Sequence, residues 1–145
     1  MILNADIWFV PRYWRRDGVE IVFNSYRINK CGEVYSLLSN KKLKAQITLD
    51  GYKKLKLLRY KEGQISCRIA RLVACTFIEN NERELKWQVD HNDRNKKNDC
   101  VYNLEWVTPK ENALRIHKSI DELEITENII EIPINQLSLF PDEKN

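Results

Sequence analysis

The stretch that decides the fold is Trp87–Asn112, which reads WQVDHNDRNKKNDCVYNLEWVTPKEN. Its first five residues, Trp87–His91, are typical of a short strand that ends in two polar side chains. Residues 92–99 are rich in Asn, Asp and Lys, a composition that predicts a loop. A second short strand is predicted at Leu104–Val107. The order strand, loop, strand suggests an antiparallel pair.

A helix is predicted directly after the second strand. Thr108 can act as its N-cap, the next residue is proline, and Glu111 is placed to reach back to the cap. The helix is expected to run to about Ser119, with Asn112 in its first turn. We expect the returning strand pair to bring Asp90 and His91 beside the start of this helix.

The residue types at these positions suit metal-assisted hydrolysis of a phosphodiester. Asp90 offers an anionic oxygen and Asn112 a neutral amide oxygen, a pair that suits Mg²⁺ completed by water and substrate phosphate. His91 can deprotonate a water for attack on phosphorus. Taken alone, the three residues are equally compatible with an ordinary surface loop.

Several motifs in one order resemble the HNH (ββα-metal) endonucleases, in particular the phage homing branch whose third signature residue is Asn. The resemblance covers roughly residues 20–118. It rests on Val89-Asp90-His91, the loop with Asn95 and Asn98, Asn103–Thr108, Glu111-Asn112, Arg71–Ala74 with Phe77-Ile78, and the upstream Tyr26–Ser36.

The resemblance implies a role for each matched position. Asp90 and Asn112 would hold one divalent ion, Mg²⁺ or Mn²⁺. His91 would be the general base, and Asn103 would brace the loop and orient the histidine. The implied activity is cleavage of double-stranded DNA, as a nick or a double-strand cut, by a monomer.

Upstream of this motif the sequence predicts two hairpins and a helix. Tyr26–Asn29 and Glu33–Ser36 flank a turn that contains glycine, and Gln46–Leu49 and Tyr52–Leu58 flank Asp-Gly, a strong hairpin signal. Residues Ile65–Ile78 have apolar side chains at helical spacing. The predicted class is α+β, with an N-terminal β-rich DNA-binding module at 1–62, a nuclease core at 63–119 and an acidic flexible tail at 120–145.

Charge is unevenly distributed along the 145 residues, whose net charge is +3. Residues 119–145 contain seven acidic side chains and one lysine, a net of −6, which leaves +9 for the rest. A basic body is typical of a protein that binds a polyanion. The predicted DNA contacts are Lys42, Lys44, Lys53, Lys54, Lys56, Arg68, Arg71 and Arg115.

The C-terminal stretch departs from the larger members of the resembled family. Residues 120–145 are too few and too acidic for the helix-turn-helix that those members carry, so reading of a long DNA site is not expected. The stretch does contain Gln136, Leu137, Ser138, Leu139 and Phe140, which resemble the peptide by which bacterial proteins dock on the β sliding clamp. The alternative is that these apolar residues fold back onto the domain.

Other classes of protein are less compatible with the sequence. No apolar run approaches the roughly 20 residues that span a bilayer, so no membrane partner is expected, and no signal peptide is recognised. The four cysteines are scattered, which indicates reduced thiols and a cytoplasmic protein of a bacterial cell or a phage-infected bacterium. Two alternatives stay open: a catalytically silent DNA- or clamp-binding replication modulator on the same scaffold, and an RNA-directed nuclease.

Overall fold

The computed structural model describes residues 7–118 and residue 120. The chain divides into two compact units, Met1–Thr108 and Pro109–Asn145, which we describe separately. The first unit combines small antiparallel sheets with one α-helix, and the described part of the second is a helix over residues 109–118. The expected α+β class is confirmed.

In the described part of the first unit, residues 7–108, the strands form four small sheets whose pairings are all antiparallel. The hairpin β3–β4 and the pair β6–β7 on either side of Asp50-Gly51 form as the sequence predicts. The elements are β1 (Arg12–Trp14), β2 (Glu20–Val22), β3 (Tyr26–Ile28), β4 (Val34–Ser36), β5 (Lys41–Lys42), β6 (Gln46–Ile47), β7 (Lys53–Arg59), β8 (Gly63–Arg68), α1 (Ile69–Phe77), β9 (Gln88–His91), a 3₁₀ turn (Val101–Asn103) and β10 (Leu104–Val107).

The prediction of a helix over Ile65–Ile78 is wrong for its first residues, up to Arg68. Residues Gly63–Arg68 form β8 and pair with β7 along its length, and α1 begins only at Ile69. Cys67 is buried between two exposed neighbours, which is the alternation of a strand. Ile65 and Ile69 are four residues apart, so the apolar spacing alone could not distinguish the strand from the helix that follows it.

The core of the first unit lies between α1 and the sheets. Leu72 and Val73 of α1 are completely buried, as are Leu57 of β7 and Cys67 of β8. The predicted module boundary at 62/63 falls in the turn between β7 and β8, so these two strands of one sheet lie on opposite sides of it. Described residues on both sides of the predicted boundary, such as Leu57 and Leu72, therefore share one core.

Gly32, in the turn between β3 and β4, allows this hairpin to approach α1 and the loop after β9. Its φ is +82°, and an added Cβ would lie 2.8 Å from Ile69 Cγ2 and 3.3 Å from Asp99 Cβ. A second link is the hydrogen bond from the Val101 amide to the Lys30 carbonyl, 2.8 Å long. The β3–β4 hairpin thus packs against the loop after β9 and supports it.

The remaining expectations concern the cysteines, the tail and membranes. All four cysteines are free, and burial raises the pKa of the Cys67 thiol to about 12, which keeps it protonated and unreactive. The tail and its Gln136–Phe140 peptide lie outside the described residues. Within residues 7–118 and 120, no helix is long and apolar enough to cross a membrane.

Candidate active site

The strand pair β9–β10 positions the two residues on which the predicted chemistry depends. Leu104 lies opposite His91 and Glu105 opposite Asp90, so both polar residues are held in the ladder at the end of β9. Both side chains are buried. Neighbouring residues of a strand point to opposite faces, and Asp90 and His91 accordingly meet different partners in the loop that follows.

His91 is anchored by a carboxylate eight residues further along the chain. Its Nε2 lies 2.8 Å from Oδ1 of Asp99, and the two side chains are 5% and 1% exposed. Because a carboxylate oxygen accepts, Nε2 is the donor of this bond, and Nδ1 is the other ring nitrogen. The ring of Tyr52 lies beside the imidazole, with centroids 5.9 Å apart.

Asp90 is held by a cation from the same loop. Nη1 of Arg94 lies 3.0 Å from Oδ1 and 3.2 Å from Oδ2 of Asp90. No cluster of three or more His, Cys, Asp or Glu side chains suited to a metal occurs among the residues described. A site built from one carboxylate and one amide contains no such cluster, and carboxylate and amide oxygens are ligands that suit a hard divalent cation.

Asn103 contacts the loop between the strands through its side-chain amide. Its Oδ1 accepts from the Asp93 amide at 3.0 Å, and its Nδ2 donates to Asp93 Oδ1 at 2.9 Å and to the Asn98 carbonyl at 2.8 Å. Hydrogen bonds, first from Asn98 and then from the Asn95 amide, hold the pKa of the Asp93 carboxyl below its usual value. Side chains therefore order the loop through bonds to its backbone and to one another.

Two of the predicted site residues belong to the second unit. Asn112 lies in the first turn of the helix over residues 109–118, where the sequence predicts it, and Arg115 lies one turn later. Both side chains are partly buried, and both have interactions within the protein.

Three of the predicted DNA contacts share the outer face of the sheet β6–β7–β8. Lys54 lies directly opposite Arg68, and Lys56 follows two residues along the same face, away from the buried Leu55 and Leu57. Like charges directly opposite one another destabilise a sheet, although the guanidinium of Arg68 also pairs with Asp50 at 2.8 Å. This arrangement presents a basic surface to an anionic partner.

The other predicted lysines lie in and around this region. Lys44 is exposed between β5 and β6, and Lys42 is paired with Glu33. Lys53 is partly buried at the start of β7 and lowers the pKa of Glu33 through its charge, a smaller effect than that of Lys42.

Arg71 is a structural residue rather than a surface cation. Its guanidinium donates to the carbonyl of Trp14 at 3.0 Å and to that of Trp87 at 2.6 Å, and it stacks on the Trp14 ring at 4.5 Å. Trp14 in turn stacks on Trp106, with centroids 4.6 Å apart. Because its donors face inward, Arg71 is removed from the proposed DNA contacts.

Four residues near the site were not assigned a role from the sequence: Tyr52, Arg94, Lys96 and Asp99. The ring of Tyr52 makes cation–π contacts with Arg68, at 4.0 Å from its centroid, and with Lys96, at 4.9 Å. Lys96 also donates to the Asp50 carbonyl at 2.8 Å, so the β6–β7 turn is tied to the loop after β9. Asp99 could have been suspected as an acid eight residues after His91, but its contact needed coordinates.

Comparison with known proteins relates this chain to endonucleases. DNA endonuclease I-HmuI of Bacillus phage SP01 is 45% identical over 88 residues, covering 61% of this chain and 49% of the relative. H-N-H endonuclease F-TflII of Escherichia phage T5 is 34% identical over 94 residues, covering 64% and 48%. No family model matches.

A solved structure that describes DNA binding and cleavage by the HNH homing endonuclease I-HmuI has the same fold. It aligns with a TM-score of 0.56 at 34% identity, over 80% of this chain and 60% of that one. The chain spans about half the length of the curated relatives it matches.

Proposed function

We propose that this chain, which is related in sequence and fold to the HNH homing endonucleases, is a metal-dependent DNA endonuclease that hydrolyses phosphodiester bonds. The observation that carries the proposal is the end of β9. There a buried histidine is oriented by one acid while the adjacent carboxylate holds a cation. Burying a histidine and a carboxylate at adjacent positions is costly even when each has a partner, which favours a chemical role over packing alone.

His91 is proposed as the general base. With Nε2 bonded to Asp99, Nδ1 is the nitrogen free to take a proton from a water that attacks phosphorus in line. The water oxygen forms the new bond to phosphorus as the bond to the 3′ oxygen breaks, which leaves a 5′ phosphate and a 3′ hydroxyl. Asp99 then stabilises the imidazolium.

Asp90 is proposed as one protein ligand of a single Mg²⁺ or Mn²⁺ ion, and Asn112 as the second. The first assignment is supported by the cation that Asp90 holds, and the second by the sequence resemblance. When bound, a divalent ion supplies stabilisation of the negative charge on the phosphate and on the leaving oxygen. Asn103 holds the loop between the strands in the shape that keeps Asp90 and His91 in place.

The partner is proposed to be double-stranded DNA. Lys54, Lys56 and Arg68 supply phosphate contacts from the outer face of their sheet, and Lys42, Lys44, Lys53 and Arg115 are further candidates. Contacts to phosphate position a duplex and make affinity depend on salt, but they carry little sequence information.

Nicking of a supercoiled plasmid tests this function. The whole chain should convert supercoiled to nicked or linear DNA in Mg²⁺ or Mn²⁺, and a chelator or His91→Ala should abolish the conversion. DNA binding without cleavage in either metal would favour the silent modulator instead. Faster cutting of RNA than of duplex DNA would favour the RNA-directed alternative.

Docking of residues Gln136–Phe140 on a bacterial β sliding clamp is a second part of the proposal, supported by the sequence alone. A tether would raise the local concentration of a weakly specific nuclease on DNA. Clamp should be recovered with the intact chain and lost with Leu139→Ala plus Phe140→Ala, and equal recovery from both would end the idea. The monomeric state and the cytoplasmic location stay predictions.

A further inference from the structure

Arg94 lies at the proposed metal ligand without a role in the mechanism described so far. Its Nη1 contacts both oxygens of Asp90, at 3.0 and 3.2 Å. The carboxylate is 8% exposed and the arginine side chain 41%. The pair therefore joins a nearly buried anion to a cation whose outer part reaches solvent.

The backbone at Arg94 is in a conformation that arginine rarely adopts. Its φ is +66°, in the left-handed region that glycine occupies at no cost. Its amide bonds to the His91 carbonyl at 3.1 Å, which closes a tight turn directly after the strand. Glycine would make the same turn without strain, so the turn itself does not require the arginine side chain.

The guanidinium of Arg94 has N–H donors that Asp90 does not use. Arginine has five N–H groups in a planar fork, and Nη1 makes the two bonds to Asp90. Within the described residues, Nε and Nη2 have no hydrogen-bond partner in the protein. A fork with exposed donors beside a metal-binding carboxylate matches the geometry of a phosphate.

We propose that Arg94 is an exchangeable counter-ion: it neutralises Asp90 until a divalent ion binds there, and its released guanidinium then binds the DNA phosphate beside the ion. This inference rests on the proposed function. A buried carboxylate without a cation is costly, so the arginine stabilises the metal-free protein. The same arginine competes with the ion, because both need the oxygens of Asp90.

Manganese binding to the whole chain without DNA tests the competition, and electron paramagnetic resonance measures the free ion, from which the bound ion follows by difference. Arg94→Gly and Arg94→Ala should bind Mn²⁺ at least about fivefold more tightly than the wild type. Lys61→Gly is the matched control, since Lys61 is also an exposed cation at positive φ, +64°, in the turn between β7 and β8. Its affinity for Mn²⁺ should equal that of the wild type.

Single-turnover cleavage at saturating metal tests the phosphate contact. Arg94→Gly should cut at least about tenfold more slowly. In saturating metal it should melt no lower than the wild type, because the ion then neutralises Asp90 and glycine relieves the backbone. Arg94→Lys keeps the charge and loses the planar fork of donors. Its cleavage rate should lie between those of the wild type and Arg94→Gly. Wild-type cleavage by Arg94→Gly, or unchanged affinity for Mn²⁺, would overturn the inference.

Failure of the inference can be distinguished from failure of the proposed function. Asp90→Asn should abolish the Mn²⁺ site, and if it does not, the ion binds elsewhere and the proposed metal ligand is wrong. If Asp90→Asn removes the site but Arg94→Gly does not tighten it, only the role of Arg94 fails. The binding measurement decides this whether or not the protein cuts DNA.

Discussion

Nε2 of His91 and Oδ1 of Asp99 lie 2.8 Å apart in a part of the protein almost closed to solvent. This contact fixes the orientation of the ring and the nitrogen that carries the proton. The second oxygen of Asp99, Oδ2, has no hydrogen-bond partner in the described chain. The histidine is therefore the hydrogen-bond partner of this buried carboxylate among the described residues, and the carboxylate is placed to position its ring.

Replacing Asp99 should therefore slow cleavage without weakening DNA binding. We expect Asp99→Ala to lower the single-turnover rate by about 10- to 100-fold, below the ~10²–10⁴-fold that general-base catalysis supplies, because His91 remains but is no longer held. Nitrogen NMR of the ring should show the loss of the Nε2–H form. Asp17→Asn, an exposed acid in the β1–β2 turn, is the control. An unchanged rate with an unchanged ring spectrum would contradict the positioning role.

Gly32→Ala should destabilise the first unit more than Gly18→Ala does. Both glycines have φ above +80°, so both substitutions share the backbone strain. Only at Gly32 would the new Cβ meet another atom, 2.8 Å from Ile69 Cγ2, whereas Gly18 has nothing within 4 Å. We expect the difference to be about 1–3 kcal/mol in the free energy of unfolding, measured with denaturant. Equal losses would mean that the hairpin does not support the loop through Gly32.

The loop after β9 should loosen in acid. The pKa of Asp93 is lowered by its bonds to Asn98 and the Asn95 amide, so the folded loop favours the charged carboxylate. This contribution to stability is present above the unfolded pKa, about 3.9, and is lost as pH falls through the lower folded value. The protection of the Asn95 amide from hydrogen exchange, relative to its intrinsic rate at each pH, should fall there. Asp93→Asn should abolish this dependence, and an identical pH profile in the variant would refute the assignment.

Removing the basic pair on the outer face of β7 should reduce the salt dependence of DNA binding. Each phosphate contact contributes about 0.9 to the slope of log affinity against log salt, so Lys54→Ala plus Lys56→Ala should lower that slope by about 2. Lys61→Ala plus Lys86→Ala removes the same charge elsewhere and should leave the slope unchanged. Equal slopes for the two double variants would show that this face does not contact the duplex.

The sequence predicts the parts of the structure that depend on local pattern. The strand before His91, the returning strand at Leu104 and the helix that starts at residue 109 all form where turn and capping residues indicate. The strand at Gly63–Arg68 was missed because its apolar residues continue at helical spacing into α1.

Contacts between distant segments could not be predicted in this way. Arg71 has the charge of a DNA contact, yet the carbonyls of Trp14 and Trp87 bind it, and those lie 57 and 16 residues away. Tyr52 meets His91 only because the sheet β6–β7–β8 packs beside the loop. The left-handed backbone of Arg94 likewise has no signal in a single sequence.

The most direct test of the central claim compares single-turnover cleavage and DNA affinity for the wild type, Asp90→Ala and His91→Ala in Mg²⁺ and Mn²⁺. Both variants should bind duplex DNA within about threefold of the wild type and melt cooperatively, yet cut at least about 10²-fold more slowly. Cleavage by either variant at the wild-type rate, or none by the wild type in either metal, would contradict an active site at the end of β9.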